Sequence, residues 1–386
     1  MTNTNSHVVV VGAGIIGAAI AWRLAQRDLS VTMVDPQFAA GDQLPARPAW
    51  YTAAGMLAPI TELDFTETPL LQLNLASLER YGRFAAELSE TTGMPTGYIE
   101  CGTLQVAWDA ADLTRLSELV AFREHLGLGS VMLTGRELHR LQPGLAPGLP
   151  GGALAESDHQ VDPRLLHAAL ITAARRAGAS ALPGAAAVDV HDGRAVGVRL
   201  DDGSAVPAGT VVLAAGAWSY QVEGVPLGHR PAVRPVKGQV VRLRLPGPPR
   251  LDRVLRARIK GSPVYVLPRR DGQYVVGASV EEAGFDQTPR AGAVYELLRD
   301  ASTLYPEFSE ATLDEVCTGL RPGSPDNAPL IGPSGIDNLT VATGHYRNGI
   351  LLTPVTADAV ADLLTTGTLP APVDQFTPTR LRKDAA

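Results

Sequence analysis

The first seventeen residues constrain this chain most. A β-branched run, His7-Val8-Val9-Val10-Val11, leads into Gly12-x-Gly14-x-x-Gly17. Such a run suits a parallel strand buried on both faces. Residues 15–27 (IIGAAIAWRLAQR) have helical spacing, and 30–34 (SVTMV) read as a second strand ending at Asp35-Pro36. Together they form a βαβ unit. Gly12 permits the tight turn, Gly14 lets backbone approach a pyrophosphate, and Gly17 lets helix and strand pack closely. The helix start, with Ile15 and Ile16, presents free N–H groups to phosphates. Asp35 lies eighteen residues after Gly17, placed to accept hydrogen bonds from ribose hydroxyls. A carboxylate there argues against a 2′-phosphate, and so against NADP. The motif alone does not separate FAD from NAD.

The remaining pattern mixes helices and strands. Residues 36–50 read as loop, 68–92 as an amphipathic helix, and 98–108 as a strand. Residues 162–178 read as a helix capped by Asp162 with Pro163 in its first turn. A meander follows, with turns at Asp192-Gly193 and Asp202-Gly203. Residues 210–219 (TVVLAAGAWS) form a strand opening into a small-residue turn, and 230–285 are strand-like. Then come a Gly/Pro loop at 318–335, a strand at 339–343 and a final helix at 350–365. The expected fold class is α/β, with two discontinuous domains. A Rossmann-like dinucleotide domain takes 1–90, 145–220 and 310–386. A smaller substrate domain, a mostly antiparallel β-sheet with helices, takes 91–144 and 221–309.

Composition narrows the function classes. Net charge is −7 with no basic stripe, which argues against a nucleic-acid partner. Cys101 and Cys317 are far apart and in no CxxC pairing, so neither a disulfide framework nor a zinc site is expected, and no other metal is. The N-terminus is a poor signal peptide, and no stretch reads as a membrane span, so a cytoplasmic protein is expected.

Two features favour FAD. The 210–219 element could bring backbone against the first glycine loop near Gly216, although alone it reads equally as a core strand. Thr52-Ala53-Ala54-Gly55-Met56 could lay main chain against a flat ring, although alone it reads equally as a helix start.

Six stretches in order, GAGIIG, TAAGML, RPVKGQVVRL, YVLPRRDGQYVVGASVEEAGFD, GLRPGSPDNAPLIGP and ATGHYRNGILLTP, resemble the D-amino acid oxidase/sarcosine oxidase superfamily. Within it they are most similar to the glycine oxidases of thiamine biosynthesis. The resemblance implies noncovalent FAD, a small amino-acid substrate, and O2 as acceptor. It implies that glycine, sarcosine or D-alanine is oxidised to an imine, with glyoxylate, ammonia and H2O2 as the products from glycine. The imine would feed thiazole formation, and the enzyme would be a homotetramer. A D-amino acid dehydrogenase or a sarcosine-type oxidase is the alternative within the superfamily, and a non-catalytic flavoprotein the alternative outside it. Neither cysteine lies in the closing loop where sarcosine oxidases attach flavin, which supports dissociable FAD.

The resemblance places the carboxylate-binding arginine at Arg321, whose planar fork suits such a group. Tyr265 would donate a second hydrogen bond, and Arg347 would orient substrate or a flavin carbonyl. Cofactor contacts are expected at Ala54, Gly55, Met56, Ala187, Gly216, Gly344, His345, Tyr346, Arg347, Asn348, Gly349, Ile350 and Leu351. A helix starting near Gly349 would aim its positive end at the flavin pyrimidine edge. His159, His167 and His191 read as ordinary surface or core histidines, and Glu281-Glu282 as a solvated charge pair.

Overall fold

The computed structural model describes residues 7–40, 47–63, 68–247 and 250–381. Its first sheet has six strands in the order Leu330–Pro333, Leu339–Thr343, Thr210–Leu213, His7–Val11, Ser30–Val34, Ser180–Leu182. Every pairing is parallel except the edge pair, where Leu330 faces Thr343. Side chains alternate between two cores, as strand geometry requires. Val8, Val10, Val31 and Met33 pack against helices Ile15–Ala25, Pro163–Arg176 and Thr353–Thr366. Val9, Val11, Val34 and Val211 pack against a three-stranded meander, Ala186–His191, Arg194–Leu200 and Ala205–Pro207. With both faces covered, the β-branched runs of the sequence are accounted for.

The glycine turn is held by close approach. A Cβ at Gly17 would lie 1.9 Å from Gly12 O, so only glycine lets the helix sit this near the turn. Gly12 has φ +98°, and its own Cβ would meet Ala214 O at 2.5 Å. The second small-residue strand therefore abuts the first glycine loop.

A second sheet has eight strands in the order Thr312–Gly323, Arg234–Arg244, Gln273–Gly277, Ser262–Pro268, Val254–Ile259, Thr103–Ala107, Gly151–Ala155, Val131–Thr134. It is antiparallel apart from the Val254–Ile259 and Thr103–Ala107 pair. Helix Ala291–Leu304 packs on it through Leu297, Ala301 and Leu304. Strands Gly151–Ala155 and Thr312–Gly323 sit in this sheet, although the sequence division placed 145–220 and 310–386 with the nucleotide segments.

Three local expectations are corrected. Residues 318–323 are not loop but the end of strand Thr312–Gly323. That strand is at the sheet edge, where a proline such as Pro322, paired with Pro235, is tolerated. Within 36–50, Gln37–Ala40 and Ala49–Thr52 are short helices, and 41–46 lie outside the described residues. The last helix begins at Thr353, with Pro354 in its first turn, and a 3-10 turn at Tyr346–Asn348 precedes it. Pro354 has no N–H to continue a helix from Gly349, which sets this later start. Asp162 caps its helix as expected, accepting from Arg164 N at 2.9 Å.

Candidate active site

Side chains and backbone from both sheets line one cavity of about 1260 Å³. Ligand clefts commonly span roughly 300–1,000 Å³, so this one has room for a large ligand and a small one together. At one end stand Gly12, Gly14, Ile15, Ile16 and Asp35. Asp35 Oδ2 accepts from Ala13 N at 2.7 Å, Oδ1 from Gln37 N at 2.9 Å, and Gln37 Nε2 donates to Ala13 O at 2.9 Å. The carboxylate thus braces the glycine turn as well as facing the cavity. Burial raises its pKa against these hydrogen bonds.

The middle of the wall is made of small residues. Ala54, Gly55, Met56, Ala187, Ala215 and Gly216 all line it. Gly55 has φ +81°, and a Cβ there would meet Val161 O at 2.1 Å. Trp50 stacks on His167, with ring centroids 3.7 Å apart and planes 12° apart. His167 Nε2 lies 2.8 Å from Ala13 O, and burial lowers its pKa to about 4, so the ring stays neutral and donates to the glycine turn.

At the other end stand Arg321, Tyr265 and Arg347. Arg321 Nη1 donates to Ser279 O at 3.1 Å and to Lys237 O at 3.3 Å. Among the described residues no carboxylate lies within ion-pair distance of it. Burial raises the Tyr265 pKa, with Arg321 pulling it down and Glu62 pushing it up, so the phenol remains a donor at neutral pH. Arg347 differs, because its Nε is 3.8 Å from Glu62 Oε2. Glu62 Oε1 is also 3.3 Å from Arg256 Nη1. Glu62 therefore draws two arginines together across the cavity.

The closing turn is split. His345, Tyr346, Arg347, Gly349 and Ile350 line the cavity, whereas Gly344, Asn348 and Leu351 stand behind it, as does Gly17 at the far end. The stretch that lines the cavity here is thus the turn and the two residues after it, ahead of the helix that begins at Thr353. His345 is buried with Nε2 3.0 Å from Thr356 Oγ1, and burial drops its pKa to about 3. It joins turn to helix as a neutral group.

Sequence reasoning missed Trp50, Thr52, Gln37, Glu62 and Arg256 as cavity residues. Only Thr52 stood in a quoted motif. Gln37 and Trp50 come from 36–50, Glu62 from the turn after strand Met56–Leu57, and Arg256 from strand Val254–Ile259, where no spacing signal marks them.

The residues present fit FAD. Glycine-lined backbone, a carboxylate and a wall of small residues share one cavity. The Oγ1 of Thr52 and Nε1 of Trp50, on two residues of that wall, are buried with no hydrogen-bond partner. Gly12, Gly14, Ile15 and Ile16 would hold the pyrophosphate, Asp35 the ribose, and Ala54 to Met56 with the 345–350 turn the ring system.

Comparison with known proteins agrees. Residues 7–363 match the FAD dependent oxidoreductase family DAO. The chain is 34% identical over 359 residues to the glycine oxidase of Geobacillus kaustophilus, covering 92% of each. The crystal structure of glycine oxidase from Geobacillus kaustophilus superposes with a TM-score of 0.87, covering 97% of this chain and 99% of that one. The bifunctional protein ThiO/ThiG of Synechocystis is 35% identical over 381 residues, 98% of this chain and 54% of that protein. The chain thus spans about half the length of the bifunctional relatives it matches. Its fold, its dinucleotide turn and these matches together show that the chain belongs to the DAO family of FAD-dependent oxidoreductases.

Proposed function

We propose that this chain oxidises glycine and related small amines such as sarcosine or D-alanine. The observation that carries the reading is Arg321. It is a half-buried guanidinium on the cavity wall, held by two backbone carbonyls, with no carboxylate partner among the described residues. A cation partly withdrawn from water with no anion beside it is suited to a ligand that supplies one. A substrate carboxylate supplies it, as a bidentate partner.

Tyr265 donates to the same carboxylate, and the clamp leaves the amine-bearing carbon facing the ring site. The chemistry that FAD would supply there is acceptance of a hydride from that carbon, with O2 as the final two-electron acceptor and H2O2 as product. The imine left behind is hydrolysed to glyoxylate and ammonia when glycine is the substrate. No general base is required, because a neutral amine's lone pair drives imine formation as the hydride leaves. Delivery of the imine to thiazole synthesis is part of this reading, supported by the likeness to ThiO/ThiG proteins. A homotetramer rests on the resemblance alone, and a cytoplasmic location on the sequence reading of the N-terminus, the cysteines and the lack of an apolar span.

The test is spectroscopic. Anaerobic glycine, sarcosine or D-alanine bleaches the oxidised flavin band, and the aerobic reaction yields one H2O2 per imine. An oxidised spectrum unchanged by all three amines overturns the reading.

A further inference from the structure

Lys237 is fully buried, with no side-chain exposure. Its Nζ donates to Thr288 O at 2.6 Å, and lies 3.6 Å from Asp286 Oδ2 and 3.8 Å from Glu281 Oε2. All three partners belong to one segment, 278–290, between strand Gln273–Gly277 and helix Ala291–Leu304. A buried ammonium is tolerated only when paired and hydrogen-bonded. Among the described residues, every partner of the ammonium is drawn from that segment.

The segment is fastened at further points. Lys237 and Glu281 exchange both backbone hydrogen bonds, at 2.9 and 3.0 Å. Glu281 Oε1 accepts from Gln239 Nε2 and from Ser279 Oγ, each at 2.6 Å. Gln239 Oε1 accepts from Arg290 N at 2.7 Å. The same segment meets the cavity, since Ala278 and Val280 line it. Arg321 Nη1 is held by the carbonyls of Ser279, on the segment, and of Lys237 itself, on the neighbouring strand. The orientation of the arginine fork therefore depends on how closely segment and strand are held together.

We propose that Lys237 is the positioning residue of the carboxylate site: by drawing Glu281, Asp286 and Thr288 onto its buried ammonium it locks segment 278–290 and so fixes Arg321. This rests on the reading of Arg321 as the carboxylate clamp. Lys237 touches no substrate. Its loss leaves the guanidinium present but no longer aimed, which weakens carboxylate binding and leaves the chemical step intact.

The test uses the FAD-loaded protein, with acetate as carboxylate probe and glycine as substrate. Lys237→Met is expected to raise the acetate inhibition constant and the glycine KM roughly tenfold, as for one weakened charge-assisted contact. Over the same variant kcat changes less than about threefold, because binding and chemistry are separable. In an Arg321→Ala background the same change adds nothing further, since the two residues act through one fork. Glu281→Ala, at a partly exposed carboxylate, repeats the effect and decides the matter if Lys237→Met does not fold. Weaker acetate binding in Arg321→Ala with unchanged binding in Lys237→Met or Glu281→Ala overturns this inference and leaves the clamp reading standing. Unchanged acetate binding in Arg321→Ala overturns the clamp reading itself.

Discussion

A Cβ at Gly238 would stand 2.3 Å from Arg321 Nη1 and 2.5 Å from Nη2. The guanidinium lies over a glycine of the neighbouring strand, where any side chain would fill its place. The other polar group is seated the same way, since a Cβ at Gly277 would lie 2.3 Å from Tyr265 Oη. Gly277 is the cross-strand partner of Tyr265. Two glycines make room for the two side chains proposed to hold a carboxylate.

Gly238→Ala therefore displaces the arginine without touching the dinucleotide end. The atoms met are the far end of a flexible side chain, so the fold survives and FAD stays bound. The glycine KM rises by the equivalent of roughly 1.5–3 kcal/mol, the worth of a charge-assisted contact. Steady-state kinetics at constant flavin content measures this, and an unchanged KM would show that the fork is not used.

Gly17→Ala does the opposite. The new methyl would lie 1.9 Å from Gly12 O, a backbone atom that cannot swing aside. Overpacking of this kind costs roughly 1–3 kcal/mol, and the glycine turn moves with the helix. The purified variant should carry little flavin and melt earlier than the parent. Full flavin content would contradict the role given to this turn.

Tyr265→Phe keeps the ring over Gly277 and deletes one donor. Its glycine KM should rise by about 1 kcal/mol, the net worth of one hydrogen bond, roughly fivefold. Burial raises the phenol pKa above its usual 10, so in the parent no loss of glycine affinity from this group appears below that pH. A pH titration of KM in parent and variant checks both statements.

His167 makes stability depend on acid. Its folded pKa is about 4 against an ordinary 6.5, so the unfolded chain takes up a proton that the buried ring refuses. The contribution is complete above pH 6.5 and is lost as pH falls from 6.5 toward 4, amounting to about 3 kcal/mol. Asp158 opposes it, because burial raises its pKa to about 6 and folding then favours the protonated acid. The His167→Gln difference curve isolates the histidine. Urea midpoints of parent and variant should converge between pH 6.5 and 4, and parallel curves would refute the assignment.

The nucleotide half was legible because its chemistry is local. Gly12, Gly14, Gly17 and Asp35 fall within one βαβ unit, and their spacing carries the reason for each. Resemblance singled out Arg321 and Tyr265, both on the cavity wall, but not Gly238 and Gly277. Those glycines matter only through sheet register, which pairs Gly238 with Gly319 and Tyr265 with Gly277. Glu281, read as one of a solvated pair, turns inward to Lys237, a contact no spacing rule reveals. Trp50, Glu62 and Arg256 stayed hidden for the same reason, since long-range packing brings each to the cavity. The Pro-containing GLRPG stretch read as loop because edge-strand tolerance of proline depends on neighbours that only the fold supplies.

The most direct test of the account is Arg321→Ala, followed through flavin content and glycine kinetics together. The account predicts full FAD occupancy, with kcat/KM for glycine lowered by the equivalent of roughly 1.5–3 kcal/mol, carried mainly by KM. Glycine turnover indistinguishable from the parent would contradict it.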